Sequence, residues 1–384
     1  MHFTIASVPE IRFGPGLHET IGAAARAMGA TGTVALVIDS FLMRSGLAGR
    51  LEAALQEQGL ASRRFSDFSG EPKLDHLRAA DAVVRGRPGE TPATLIIGVG
   101  GGSALDIAKI VACTAASGED AMHFALAAHP LPRRPVPTLL MPTTAGTGSE
   151  TSATNIFTGP EGRKLWIWGP ESKADLVVLD PTLTLSLPPD MTAWCGLDAF
   201  VHAFEAATNR KTHAGTQLYA HRALAMIAEA LPAAIARPDD LTARGALLLA
   251  SCYAGIAIDL SGTAIAHHHS HALAGLAPVH HGLATALAFE LTLPWLVEAD
   301  TVDLHRAALA CGLPSAGALP GFVSRLMDAA GIVRRLPPAF ATVTPEQLMA
   351  EMQAPEHQPM RAATVRPITE TELARFSEGL LALT

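Results

Sequence analysis

Residues 94–109 read TLIIGVGGGSALDIAK, and they decide the fold class. An apolar, β-branched run ends in four glycines within five positions, and a helix-forming stretch follows at once. A buried strand that turns through glycine into a helix is the repeating unit of a parallel sheet with helices on its faces. The same turn has chemistry in it. Glycine lets backbone N–H groups approach an anion closely, the helix N-terminus adds favourable partial charge, and Ser103 is placed to cap the helix. The segment therefore reads as a pyrophosphate cradle, against the plainer reading of a tight strand-to-helix turn. It lacks the GxGxxG spacing and the Lys-Ser/Thr of a P-loop, so it is not a standard Rossmann turn.

The same rhythm extends on both sides of this segment. TVALVID (33–39) reads as a buried strand, GLAGRLEAALQEQGL (46–60) as a helix, ASRRFSDF (61–68) as a strand and HLRAADAVVRG (76–86) as a helix. VPTLLMPTT (136–144) is a further strand. From about Pro188 helical patterns dominate and strand signals nearly vanish. LDPTLTLSLPPD (179–190), with three prolines, reads as the linker. The expected organisation is an α/β dinucleotide-binding domain over 1–187 with a Rossmann-like parallel sheet, an all-helical metal-binding domain over 188–384, and a cleft between them. The stretch Pro355–Pro367 reads as irregular, with a last helix from about Thr369.

Composition narrows the function classes. Of 384 residues, 49% are apolar and 17% charged, a globular balance rather than a disordered one. The net charge of −8, without a basic block, argues against a nucleic-acid partner. Cys113, Cys195, Cys252 and Cys311 are widely spaced and form no CxxC pair, as expected for reduced thiols in a cytoplasmic protein. The N-terminus lacks the charged and apolar regions of a signal peptide. Polar residues interrupt the Ala-rich helical stretches before membrane-spanning length, so no membrane partner is expected.

The second chemical signal lies in the helical half. GLDAFVHAFEA (196–206) places Asp198 and His202 four apart, on one helix face. Six histidines fall within the fifteen positions 267–281: His267, His268, His269, His271, His280 and His281. Adjacent histidines on a helix point about 100° apart, so they cannot all reach one ion. Asp198, His202, His267 and His281 make a set of one carboxylate and three imidazoles, suited to a divalent transition metal such as Fe²⁺ or Zn²⁺. Such an ion can polarise a carbonyl or acidify an alcohol as a Lewis acid. His271, one turn from His267, is placed either to carry a proton or to orient its neighbours.

Three further features bear on a nucleotide. Asp39 at the end of a strand can accept from a ribose diol and would repel a 2′-phosphate, favouring NAD over NADP, or it can simply cap a helix. MPTTAGTGSE (141–150) is rich in hydroxyls and glycine, as a loop over phosphate or nicotinamide would be. Lys164 in GRKLWIW reads either as a phosphate or ribose contact or as a solvated loop lysine. Trp166 and Trp168 read as residues of the core or of a cleft wall.

Together these motifs resemble the iron-containing (group III, metal-dependent) alcohol dehydrogenase family, of the dehydroquinate synthase-like superfamily. GGGSALDIAK is similar to its GGGSxxDxxK signature, MPTTAGTGSE to its PTTAGTGSE loop, and LVVLDPTLTLSLPP to its interdomain segment. GLDAFVHAFEA and HxxxHALAG followed by HHG resemble its two metal-ligand stretches. The likeness runs from about residue 10 to the C-terminus. It implies an α/β domain followed by an all-α domain, and hydride transfer between NAD(P) and a small primary alcohol or aldehyde. By resemblance, Asp198, His202, His267 and His281 hold Fe²⁺ or Zn²⁺. Asp39, Gly100, Gly101, Gly102, Ser103, Thr143, Thr144, Thr147, Lys164 and Leu179 line the cofactor site, and His271 sits near the nicotinamide. A homodimer or higher homo-oligomer is the family-based expectation.

The chain departs from the family pattern in KLWIWGP, where KxAIVD is common, in ELTLPWLVEAD for LPxVxxFN, and in TVRP for NPRP. The His268-His269 pair is also unusual. These departures bear on the substrate rather than the fold. Competing readings are a maleylacetate reductase-type enzyme, whose relatives tend to lose the long GTGSE loop, and a dehydroquinate synthase-like lyase, which needs more basic residues than the helical half holds. A nucleotide-free metal hydrolase leaves the glycine turn unexplained, and a non-catalytic binding protein explains neither cluster.

Overall fold

The computed structural model describes residues 2–133 and 135–384. The chain forms two compact units. One comprises Ala6–Thr144 and Ser149–Ser186. The other comprises Leu187–Thr384, Ala145–Gly148 and the N-terminal residues through Ile5.

The first unit is α/β. Its strands are β1 (Glu10–Phe13), β2 (Thr33–Ile38), β3 (Ala61–Phe65), β4 (Leu95–Gly100), β5 (Thr138–Pro142), β6 (Thr154–Thr158), β7 (Lys164–Trp168) and β8 (Leu176–Leu179). Its helices are α1 (Ile21–Ala27), α2 (Leu47–Glu57), α3 (Leu74–Arg85), α4 (Gly102–Ser117) and the short α5 (Ala121–Phe124). Six strands make one sheet in the order β1-β8-β5-β4-β2-β3, and each pairing in it is parallel. β2 and β4 are buried along nearly their whole length because helices cover both faces. Val34, Leu36, Ile38, Ile97, Val99 and Met141 pack against Leu51 and Leu55 of α2. At Gly98 a Cβ would lie 2.8 Å from Ala108 Cβ and from Leu140 Cδ2, so only glycine lets α4 sit this close to the sheet.

From β2 the chain adds β3 on one side and then crosses back to place β4 on the other. The order therefore reverses between β2 and β4. In open α/β sheets ligands bind outside the carboxyl ends of the strands at such a reversal.

The sequence reading missed β1, β8 and the antiparallel pair β6–β7, in which Thr154 faces Trp168 and Thr158 faces Lys164. β1 and β8 have only four residues, too few to carry a visible period, and Thr154, Asn155, Thr158 and Lys164 break the apolar pattern of β6 and β7. Ser103 does not cap α4: the helix begins one residue earlier, at Gly102, with Gly101 as an extended N-cap and no side-chain cap. The Pro-rich linker is tied down. Buried Asp180 accepts from the backbone N–H groups of Gly16, His18 and Thr182 and lies 2.6 Å from His18 Nδ1.

The second unit is helical: α6 (Pro189–Thr208), α7 (Ala214–Ala236), α8 (Leu241–Ser261), α9 (Ile265–Leu276), α10 (His281–Val297), α11 (Val302–Ala310), α12 (Leu319–Ala329), α13 (Pro345–Met352), α14 (Gln358–Ala363) and α15 (Glu370–Leu381). The stretch 355–367, expected to be irregular, contains α14. The last helix starts as expected, capped by Thr369 with Glu372 reaching back to it. α8 is long and apolar enough to span a membrane, contrary to the compositional expectation, yet two-thirds of that window is buried in the protein. It packs against α6 and α7 as a core helix.

One loop crosses the expected boundary. Ala145–Gly148, read from sequence as part of the α/β domain, belongs to the helical unit. Its glycines explain why. A Cβ on Gly146 would lie 2.7 Å from Cys195 Cβ, and one on Gly148, at φ +62°, would lie 2.3 Å from Gly255 Cα. The loop lies directly on α6 and α8.

Candidate active site

α6 is built to aim three polar side chains one way. Asp198, His202 and Glu205 stand at i, i+4 and i+7, so they share a face, and all three are buried. α9 contributes His267 from its first turn, and α10 begins on His281. The glycine of the HHG turn allows this convergence. A Cβ on Gly282 would lie 2.3 Å from the Trp194 carbonyl oxygen and 3.4 Å from Asp198 Cβ. Glycine there lets the start of α10 meet α6.

Asp198, His202, His267 and His281 each offer one ligand atom, and the four atoms lie within 4.8 Å of one another. Asp198 Oδ1 is 3.5 Å from His267 Nε2 and 3.5 Å from His281 Nε2. The His202 and His267 rings stack at 4.4 Å. Ligand bonds of about 2.1 Å in tetrahedral geometry require ligand–ligand separations of about 3.4 Å. Asp198 Oδ1 and His267 Nε2 are buried and make no hydrogen bond among the described residues. Buried polar atoms are otherwise almost always paired. Two facing, unpaired atoms of ligand type are what a cation satisfies.

Two partners set the tautomers, and the sequence reading named neither. His202 Nδ1 lies 3.2 Å from the Gly146 carbonyl and donates to it, leaving Nε2 for a ligand role. His267 Nδ1 lies 2.7 Å from Glu205 Oε2, which leaves its Nε2 facing Asp198. The signal for Glu205 was present: it completes a D-x3-H-x2-E face on a helix. Gly146 had no signal, because a carbonyl has no residue type.

The electrostatics follow from burial and from these neighbours. Burial alone would raise the Asp198 carboxyl, but His202, His281 and His267 outweigh it and hold it well below the usual carboxylate range. Burial pulls His202 down to about 4, so it is neutral at pH 7, as a ligand must be. Burial would also lower His267, but Glu205 and Asp198 push it up to about 9. A bound cation would take the place of that proton.

The remaining histidines separate. His271 is half-buried at the rim, with ring centroids 6.4 Å from His267 and 5.4 Å from His281. His268 and His269 turn away into the core. Their Nδ1 atoms lie 3.0 Å apart, His268 Nε2 lies 2.7 Å from the Met352 carbonyl, and His269 packs on Phe376. His280 packs on Trp194, ring centroids 4.7 Å apart.

In the α/β unit the candidate cofactor residues gather on one sheet edge. Asp39 follows β2, Gly100 ends β4, Gly101–Ser103 open α4, Thr143 and Thr144 follow β5, and Leu179 ends β8. β2, β4, β5 and β8 are neighbours in the sheet, so these residues line up at its carboxyl end, beside the order reversal. The Asp39 N–H donates to Val99 O at 3.0 Å, and the Thr143 N–H donates to Gly100 O at 2.9 Å. The Asp39 carboxylate accepts from Phe41 N–H at 2.9 Å and caps the short helical turn after β2. At Gly100, φ is +150°, and a Cβ would lie 2.8 Å from Ala104 Cβ. Thr147 belongs to the loop that joins the helical unit. Lys164 belongs to the two-stranded sheet: it opens β7 and pairs with Glu71 at 2.7 Å. Trp168, expected in the core or a wall, is 53% exposed at the end of β7.

Comparison with known proteins identifies the family. The family model for iron-containing alcohol dehydrogenase matches residues 9–181, and the model for the C-terminal part of the Fe-containing alcohol dehydrogenase family matches residues 192–340. The chain is 35% identical over 283 residues to the probable alcohol dehydrogenase EutG of Salmonella typhimurium, covering 73% of this chain and 70% of that one. It is 34% identical over 254 residues to the 1-propanol dehydrogenase PduQ of Citrobacter freundii, covering 66% and 64%. Among solved structures, sulfoacetaldehyde reductase from Bifidobacterium kashiwanohense in complex with NAD+ superposes with a TM-score of 0.90 at 26% identity, covering all of both chains. A 1,3-propanediol oxidoreductase superposes at 0.88 with 25% identity, covering 99% of this chain and 100% of that one. With both halves matched in order, and with the Asp-His cluster in the helical unit, the chain belongs to the iron-containing alcohol dehydrogenase family and is an oxidoreductase of that type.

Proposed function

We propose that this enzyme interconverts a small primary alcohol and its aldehyde, using NAD(H) and a divalent metal held by Asp198, His202, His267 and His281. The observation that carries the reading is the four ligand atoms gathered within 4.8 Å, two of them buried without hydrogen-bond partners among the described residues. When bound, the ion supplies Lewis acidity toward the substrate oxygen, and the nicotinamide supplies or accepts the hydride.

The chain's own residues do the rest. The glycine turn Gly100–Gly102 and Ser103 present backbone N–H groups to the cofactor's pyrophosphate at the start of α4. Thr143, Thr144, Thr147 and Leu179 line the same cofactor. Asp39 accepts from the ribose hydroxyls and disfavours a 2′-phosphate, which favours NAD over NADP. Lys164, which pairs with Glu71 at 2.7 Å, is the contact to cofactor phosphate or ribose. His271, at the rim beside His281, carries the substrate proton on an imidazole nitrogen. We place the enzyme in the cytoplasm as a homodimer or higher homo-oligomer, a reading supported by the four free cysteines and the family likeness.

The test is NADH oxidation, followed by absorbance, against a panel of short aldehydes with and without added Fe²⁺ or Zn²⁺. Metal-dependent turnover is expected, with NADH preferred over NADPH in kcat/KM. The absence of both turnover and nucleotide binding would defeat the reading. The maleylacetate reductase-type and lyase alternatives predict respectively a dicarboxylate oxo-acid as the preferred substrate and no net nucleotide consumption.

A further inference from the structure

Glu205 lies outside the four-residue cluster, yet it is one of the most completely buried acids in the chain, 1% exposed. Its carboxylate meets three N–H groups. Ala264 N–H donates to Oε2 at 2.6 Å, Ala266 N–H donates to Oε1 at 2.6 Å, and His267 Nδ1 lies 2.7 Å from Oε2. All three belong to the N-terminal end of α9, while Glu205 comes from α6. Three donors and no acceptor suit an ionised carboxylate, which can only accept.

The geometry points to Glu205 as a positioning residue for the metal site: it fixes the His267 ring, its Nδ1–H tautomer and the charge of the pocket, and so sets divalent-ion affinity. This inference rests on the metal site proposed above. Three physical arguments support it. First, a carboxylate bound to the far nitrogen of a ligating imidazole orients the ring and raises its basicity. Second, the main-chain N–H groups of Ala264 and Ala266 hold the Glu205 carboxylate before any ion arrives, so the His267 ring is held by a preformed frame. His202 is held differently, by the neutral Gly146 carbonyl at 3.2 Å, and the two imidazoles are therefore unequal ligands. Third, among the described residues the carboxylates of Asp198 and Glu205 both face the cluster. With three neutral imidazoles they give a formal charge of −2, which a divalent ion cancels. A buried site with uncancelled charge is costly.

Titration of the metal-free, full-length chain with Co²⁺, read by its visible absorption, tests this without relying on turnover. Glu205→Gln is expected to raise the Co²⁺ Kd about 10–100-fold and to shift the ligand-field bands, because the His267 donor changes. Glu205→Asp keeps the charge but draws it back from the ring. It is expected to raise Kd less than the Gln variant, and it provides the test if the Gln variant does not fold. A role limited to capping α9 would lower the thermal midpoint of the metal-free protein while leaving Kd and spectrum unchanged, and that result overturns the inference. If the unmodified chain binds no Co²⁺, the metal site falls, and this inference with it. If the unmodified chain binds Co²⁺ and both variants match it, only the role of Glu205 falls.

Discussion

The candidate cofactor edge of the sheet and the candidate metal cluster of the helical unit are built on opposite plans. The sheet edge is made mostly of main chain. Its residues sit where β2, β4, β5 and β8 end, and glycine supplies close approach and unusual φ. The metal cluster is made of side chains from three helices, separated by up to 83 positions between Asp198 and His281 (281 − 198), and it depends on what lies behind each ligand. The difference teaches where each site is vulnerable. A backbone cradle is damaged by adding a methyl group. A side-chain cluster is damaged by removing one atom, or by moving one helix.

The largest expected effect comes from removing a ligand. His267→Ala should lower turnover at least about a thousandfold, equivalent to about 4 kcal/mol of transition-state stabilisation, while NADH binding by fluorescence stays close to that of the unmodified chain. Retained activity would show that the cluster is not the metal site. Next is Gly282→Ala. Its methyl would meet the Trp194 carbonyl at 2.3 Å and push α10 from α6. A loss of about 3 kcal/mol by denaturant unfolding is expected, with metal affinity falling in the folded fraction. A tolerated alanine would mean that α10 can shift without disturbing His281.

Glu150, at the end of the GTGSE loop, gives a slightly smaller, pH-dependent effect. Burial pushes its carboxyl up to about 7 from 4.5, and its Oε1 has no hydrogen-bond partner among the described residues. The folded state therefore favours the protonated acid. Its stability contribution is full below the unfolded value of 4.5 and is lost as pH rises through about 7. At pH 8 Glu150→Gln should be more stable than the unmodified chain by up to about 3 kcal/mol, with the gap closing at pH 4.5 and below. Equal pH dependence of the two melting curves would contradict this assignment.

On the sheet edge, Gly100→Ala introduces a Cβ at φ +150°, 2.8 Å from Ala104 Cβ. It should raise the KM for NADH about tenfold, about 1.4 kcal/mol, and leave the Co²⁺ Kd unchanged. A change in metal affinity instead would mean that the two regions are not separable. The smallest effect is expected from Asp39→Ala. Loss of the Phe41 cap should cost about 1 kcal/mol of stability. The kcat/KM preference for NADH over NADPH should narrow, and an unchanged preference would confine Asp39 to capping.

Legibility in the sequence followed the same division. The glycine turn, β2, β4, β5 and the helices α2 and α3 are contiguous signals, and local periodicity suffices to place them. β1 and β8 escaped because four residues carry too little pattern, and the β6–β7 pair because polar residues interrupt its apolar run. The four cluster residues stood out by type and spacing, and likeness to the family sorted them from their neighbours. Asp198 and His202 could be put on one face by counting. That His268 and His269 turn inward, while His271 faces the rim, depends on what packs around α9.

What the sequence alone determined is therefore everything that local stereochemistry governs: a parallel α/β unit, a helical unit, a glycine cradle at a strand end, and an Asp-His pair on one helix face. Tertiary structure decided the rest. Gly146, remote in sequence, holds His202, and Glu205 holds His267 while tying α6 to α9. Gly282 admits α10 to the cluster because no side chain stands between it and Trp194. The physical reason is that hydrogen-bond partners and close backbone approaches are relations across space, and residues far apart in the chain meet only once the helices have packed.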